Sequence, residues 1–229
     1  VIEIIPAILP KNLAELEESL ERLRSVSRTV QIDVVDGEFA PNKTWPYTDR
    51  SDFETILSEE EGLPFWEDFN FEIDLMVANA TEDALDWVKA GAARIIVHVE
   101  SADDRGALEA LQEFRSKNGG PGIEVAIAIS LGTSLEKLES LVHLVSEIQV
   151  MGIERIGFQG ESFDERALAR ISELKGLYPT HIIGVDGGVT LLNISAIIEA
   201  GATRVAVGSA IFSSDDPEAA YREFKQLVS

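Results

Sequence analysis

The stretch Thr29-Val30-Gln31-Ile32-Asp33-Val34-Val35, closed by Asp36-Gly37, decides how the chain reads. It is short, β-branched and mostly apolar, yet it carries polar groups in its interior. Side chains alternate faces along a strand, so Gln31, Asp33 and Val35 point one way while Ile32, Val34 and Asp36 point the other. Ile/Val-rich runs of this kind are what strands buried on both faces of a parallel sheet look like. Seven further runs share the pattern, at residues 4–9, 70–76, 93–99, 124–129, 147–151, 181–185 and 203–207. That makes eight strands.

Between them lie segments with helical spacing. Leu13, Leu16, Leu20 and Leu23 repeat at three and four within residues 12–24, with Glu and Arg on the other face. Residues 81–91 read as a helix with Thr81 as N-cap and Gly91 as stop. Gly91-Ala92 and Gly201-Ala202 each stand just before a strand. Further helices are expected at 105–117, 135–145, 165–177, 191–200 and 217–227, and one within 49–74. Strands alternating with helices indicate an α/β fold with a parallel sheet. A count of eight over 229 residues favours one closed (β/α)8 TIM barrel, normally roughly 250 residues, spanning 1–229 as one domain. An open doubly wound sheet is the competitor.

Composition excludes several classes of function. There are 41 acidic residues against 19 Lys+Arg, for a net charge of −22, so no basic face is expected for nucleic acid or an anionic membrane. With no cysteine, disulfides, thiolate metal sites and Cys nucleophiles are absent, which fits a cytoplasmic protein. No stretch reaches 18 consecutive apolar residues, and no basic residue precedes the first apolar run, so neither a membrane span nor a signal peptide is expected. Residues 49–74 hold ten acidic residues, one arginine (Arg50) and the aromatics Phe53, Phe65, Trp66, Phe69 and Phe71. They read as a solvated outer helix with aromatics tucked beneath, or as a subunit interface of a homo-oligomer.

In such a barrel, chemistry belongs at the C-terminal ends of the strands. Charged groups within apolar strands are costly unless paired, metal-bound or used. Asp33, Asp74 and Asp186 come from strands 2, 3 and 7 and should converge at one mouth, where like charges push pKa values apart and supply an acid and a base. Asp36 and Asp186, each before glycine, have an alternative role in organising turns, and Asp74 could instead pair with a buried partner. The loops Gly157-Phe158-Gln159-Gly160, Gly187-Gly188 and Gly208-Ser209-Ala210 follow strands 6, 7 and 8, where backbone amides frequently bind phosphate. His98 ends strand 4 and reads as a hydrogen-bonded rim histidine. His143 and His181 lie on a helix stripe and at the far end. Met76 and Met151 end strands 3 and 6, as core residues or as walls of a substrate pocket. Lys43, Arg94 and Arg155 have no role that spacing assigns.

Taken together, Pro6-Ala7-Ile8-Leu9, Ile32-Asp33-Val34-Val35-Asp36-Gly37, Asp74-Leu75-Met76, Val97-His98-Val99-Glu100, Leu131-Gly132-Thr133, Gly157-Phe158-Gln159-Gly160, Val185-Asp186-Gly187-Gly188 and Gly208-Ser209-Ala210-Ile211-Phe212 resemble the ribulose-phosphate 3-epimerases. The resemblance implies a small-molecule sugar phosphate as substrate and an epimerase acting at C3 of a pentulose 5-phosphate. Asp33 and Asp186 would exchange protons through an enediolate, and Gly160, Gly187, Gly188, Gly208 and Ser209 would hold the phosphate. The family's divalent metal is bound by two histidines and two aspartates. Here Gln31 and Asp74 replace the histidines, Ala7 replaces a serine, Val35 a methionine and Glu161 a glutamine, and the strand-6 loop is one residue longer with no proline. A ligand set of Gln31, Asp33, Asp74 and Asp186 is hard and anionic, suiting Mg2+ or Mn2+ over Zn2+, or no metal at all. Two alternatives follow: a non-catalytic phosphosugar-binding barrel, or a Mg-dependent aldol or decarboxylation enzyme on the same scaffold.

Overall fold

The computed structural model describes residues 1–117 and 122–228. Strands β1 (Glu3–Ile8), β2 (Thr29–Val35), β3 (Asn70–Met76), β4 (Arg94–His98), β5 (Glu124–Ile129), β6 (Glu147–Met151), β7 (Ile182–Asp186) and β8 (Arg204–Val207) close into a barrel in chain order. Every neighbouring pair is parallel, including β1 with β8. The helices α1 (Leu13–Glu21), α2 (Ser51–Leu57), α3 (Ala80–Lys89), α4 (Asp104–Lys117), α5 (Glu136–Glu139), α6 (Arg166–Leu177), α7 (Ile194–Ala200), α8 (Ser209–Phe212) and α9 (Pro217–Leu227) form the outer layer. This is a (β/α)8 TIM barrel.

The alternation read in β2 holds around the barrel. Outward residues such as Ile32, Val34, Ile73, Leu75 and Val97 join the helices in one large core. In it Trp45, Phe53 and Trp87 pack with ring centroids 4.5–5.6 Å apart. Many inward residues are polar, and several of their contacts cross the barrel between strands that are not neighbours. At the N-terminal end Arg94 of β4 binds Glu147 of β6 at 2.5 Å and Glu72 at 3.2 Å, and also pairs with Glu124. Arg204 of β8 reaches Glu147 at 3.1 Å and pairs with Glu72 and Glu3. Gly184 leaves room for this plug, since a Cβ there would lie 2.5 Å from Glu147 Oε1. Burial raises the Glu147 pKa to about 6 despite Arg94 and Arg204, which pull it down.

Three local expectations differ from the structure, and one short helix was not expected. Residues 135–145 do not form one helix: α5 stops at Glu139 and a 3-10 turn covers Val142–Leu144. Leu135, Leu138, Leu141 and Leu144 recur at three, which suits three residues per turn, and the amides of Leu138, Leu141 and Leu144 each bond the carbonyl three residues back. Thr81 is not the cap of α3. Asp103, from the loop after β4, instead accepts the Ala80 and Thr81 amides at 2.6 and 3.0 Å. The helix expected from Leu191 begins at Ile194, because Asn193 bonds back to Thr190 and Gly188 and holds 190–193 in a turn. The short α8 after Gly208 is not signalled by any apolar stripe. In the acidic segment Phe53, Phe69 and Phe71 are buried, whereas Trp66 is 64% exposed.

Candidate active site

Register brings the carboxylates together. Asp33 and Asp74 are direct partners across β2 and β3, and Asp186 ends β7. One oxygen from each of Asp33, Asp74 and Asp186 lies within 4.8 Å of the others. All three are buried, at 7%, 0% and 7% exposure. Gln31 Nε2 donates to Asp33 Oδ1 at 2.8 Å and to Asp186 Oδ2 at 2.7 Å, so one amide clasps the two carboxylates. Asp74 lies behind them and accepts Gln149 Nε2 at 3.1 Å on Oδ2, and its Oδ1 bonds His98 Nε2 at 2.8 Å.

Charge is distributed accordingly. Burial and the charges of Asp186 and Asp74 raise the pKa of Asp33 well above the usual carboxylate range, against the opposing pull of Gln31 and His98. Burial and Asp74 lift Asp186 to about 7. Burial disfavours the His98 imidazolium, but Asp74 and Glu100 together outweigh it and raise its pKa to about 10. Glu100 Oε2 faces His98 Nδ1 at 3.7 Å, beyond hydrogen-bond length but close enough for charge to act. Its Oε1 accepts the Ser130 amide at 3.0 Å and Thr133 Oγ1 at 2.5 Å. Burial alone would raise Glu100, but His98 and these donors bring it down to about 2.

Asp33 and Asp186 open into a narrow cavity of about 40 Å3 whose wall includes Met76, Met151, Gly160, Gly187, Gly188, Gly208 and Ser209. Gln31 and Asp74 are absent from that wall and stand beneath it. Gly188 takes φ +69°, and a Cβ there would lie 2.5 Å from the Phe163 backbone, so glycine is required. The loop after β6 spans the mouth: Gln159 Nε2 donates to Ala7 O at 3.1 Å, and Gly157 O accepts Asn42 Nδ2 at 2.7 Å.

Asp36 organises a turn, its carboxylate accepting the Glu38, Phe39 and Ala78 amides at 2.7–2.8 Å. His98 is not at the rim but wholly buried, with Phe39 edge-on at 5.0 Å. His181 bonds Val142 O, away from the mouth. Arg94 belongs to the plug at the other end of the barrel. Gln149 is the site residue that spacing alone does not single out. The signal was present, because Glu147, Gln149 and Met151 share the inward face of β6.

The donor chemistry decides what a metal would meet. Three carboxylates could hold a hard divalent cation, with the Gln31 amide as a further oxygen donor once turned. A zinc site built on imidazoles does not fit, since the one histidine here commits its Nε2 to Asp74.

Known proteins share this framework. A ribulose-phosphate 3-epimerase of Aquifex aeolicus is 30% identical over 231 residues, covering 98% of this chain and 96% of that protein. The chloroplastic ribulose-5-phosphate-3-epimerase of Arabidopsis thaliana is 30% identical over 98% of this chain and 76% of its own length. Among solved structures, a 3-keto-L-gulonate-6-phosphate decarboxylase from Vibrio cholerae superposes with a TM-score of 0.71 at 13% identity, covering 100% of this chain and 98% of that one. A 3-hexulose-6-phosphate synthase does so at 0.69 and 20%, over the full length of both. At such identities these structures speak for the fold alone. Residues 3–212 match the ribulose-phosphate 3 epimerase family, a span that includes Asp33, Asp74, Asp186 and all three glycine loops, and the chain belongs to that family.

Proposed function

We propose that the protein is an isomerase that inverts C3 of a pentulose 5-phosphate, interconverting D-ribulose 5-phosphate and D-xylulose 5-phosphate. The observation that carries the reading is the Asp33–Gln31–Asp186 clasp: two buried carboxylates from β2 and β7, both with raised pKa, opening into one cavity. One proton held between them near neutrality is the charge state that an acid/base pair needs. Ionised Asp33 takes the C3 proton, and protonated Asp186 returns one to the opposite face of the enediolate. Gln31 fixes the spacing of the pair, and the His98 imidazolium behind Asp74 offsets the negative charge beneath the site. Amides of Gly160, Gly187, Gly188, Gly208 and Ser209 receive the phosphate, and Met76 and Met151 wall the carbon chain. Gln31, Asp33, Asp74 and Asp186 would hold the cation, Mg2+ or Mn2+ by their oxygen character, and a cation bound there would stabilise enediolate charge. The family match supports this reading over a non-catalytic phosphosugar-binding barrel or a Mg-dependent aldol or decarboxylation enzyme. It extends to a cytoplasmic homo-oligomer, for which the exposed Trp66 offers an interface and sedimentation the check.

Asp33→Asn is expected to slow exchange of the C3 proton by about 10^2–10^4-fold, while still binding the substrate's phosphate. Isotope exchange and equilibrium dialysis with the same variant separate the two. Equal loss of both would remove Asp33 from its role as the base.

A further inference from the structure

The cavity wall carries negative side chains and no positive ones. Asp33, Asp186 and Glu161 are its ionisable residues among the described residues, and neither Lys nor Arg lines it. A phosphate ester brings about −1.5 to −2 charges of its own. Glycine amides can receive it, but Glu161, on the same wall as Gly188, Gly208 and Ser209, would oppose it. The cation that answers Glu161 is Arg155. Its Nη1 lies 3.1 Å from Glu161 Oε1, and its guanidinium sits 4.5 Å from the centre of the Phe158 ring. Phe158 and Glu161 are both wall residues, and the guanidinium touches both from outside the wall, where Arg155 lines the neighbouring cavity with Phe39, Glu100 and Phe158. Arg155 lies in the segment between β6 and Gly157. Its side chain is 63% exposed and that of Glu161 29% exposed, so both are open to solvent.

We propose that Arg155 is the phosphate-recognising cation of this site, kept beside the cavity by Glu161 until a phosphate displaces that carboxylate. A planar guanidinium can hold a carboxylate or a phosphate through the same paired N–H groups. The incoming dianion therefore exchanges one ion pair for a stronger one and releases Glu161 to solvent. Glu161 acts as a resident competitor: monoanions and uncharged sugars cannot displace it, so the pair selects dianionic phosphomonoesters. The inference rests on the reading that the glycine loops receive phosphate.

The test uses inorganic phosphate as probe, followed by calorimetry on the unaltered protein and on Arg155→Ala, Arg155→Lys and Glu161→Gln. Arg155→Ala is expected to weaken phosphate binding about tenfold, Arg155→Lys to recover part of the loss, and Glu161→Gln to tighten binding several-fold. Sulfate should follow phosphate, and acetate should not bind. With D-ribulose 5-phosphate, the Arg155→Ala loss should fall on KM rather than on kcat. Unchanged phosphate affinity in Arg155→Ala, or no tightening in Glu161→Gln, would overturn the role of Arg155 and leave the glycine-loop reading standing. An unaltered protein that binds no phosphate would overturn both.

Discussion

His98 holds a positive charge out of reach of solvent, between Asp74 at 2.8 Å and Glu100 at 3.7 Å. With its pKa shifted up to about 10, the imidazolium persists across the neutral range. Its contribution to stability is fully present below about pH 6.5, the ordinary histidine value, and lost as pH rises through about 10. NMR titration should show no His98 transition between pH 6 and 9, whereas a midpoint near 6.5 would contradict the ion pair. His98→Gln leaves Asp74 without its counter-charge and is expected to destabilise the fold by about 3–5 kcal/mol. The Asp33–Asp186 pair has the opposite effect at neutral pH. Both pKa values are raised in the folded state, so the pair favours folding below about pH 4; the Asp186 part is lost as pH rises through about 7, and the Asp33 part as pH rises through its own raised value. Asp33→Asn should therefore melt higher than the unaltered protein at pH 8 in chelator, by roughly 1–2 kcal/mol, and the gap should close by pH 5. Calorimetry at the two pH values reads this directly, and a lower melting point at pH 8 would refute it. Asp33 was legible in the sequence because a mid-strand carboxylate has no turn to organise. The partnership of Asp74 with His98 was not, because it depends on the register of β3 with β4, which spacing within one strand does not reveal.

Among the elements, the inward faces of the strands divide the barrel into two polar ends. The N-terminal plug joins β1, β3, β4, β5, β6 and β8 through Arg94 and Arg204 and their glutamates, while the carboxylate cluster at the other end draws on β2, β3, β4, β6 and β7. Arg94→Leu would leave Glu72 and Glu147 short of a partner in the interior, at 6% and 2% exposure, and should destabilise by about 3–5 kcal/mol. Because the plug lies at the opposite end from the cavity, the KM of the remaining folded protein should not change. Thermal melts and steady-state kinetics on one preparation test this, and a KM change without a stability change would contradict the division. Strand positions were readable because buried parallel strands are continuous apolar runs. Helix limits were less so: the leucine repeat at 135–144 marks an inward face equally well for an α-helix and for tighter turns.

At the scale of the molecule, eight alternating units dictated closure, and closure brings residues 31, 33 and 186 together although 155 positions separate Gln31 from Asp186. Glycine loops and carboxylates were recognisable from sequence as belonging to one mouth. The amide clasp and the Arg155–Glu161 pair depend on side-chain directions that only the assembled barrel fixes. If Asp33 and Asp186 move protons at C3 of a pentulose 5-phosphate, the C3 hydrogen must exchange with solvent during turnover. Proton NMR of the protein with D-ribulose 5-phosphate in D2O, in chelator and then with Mg2+, Mn2+ or Zn2+, tests it most directly. The predicted result is deuterium at C3 together with D-xylulose 5-phosphate, supported better by Mg2+ or Mn2+ than by Zn2+. Folded protein that binds the substrate yet exchanges no C3 proton under any of these conditions would contradict that role.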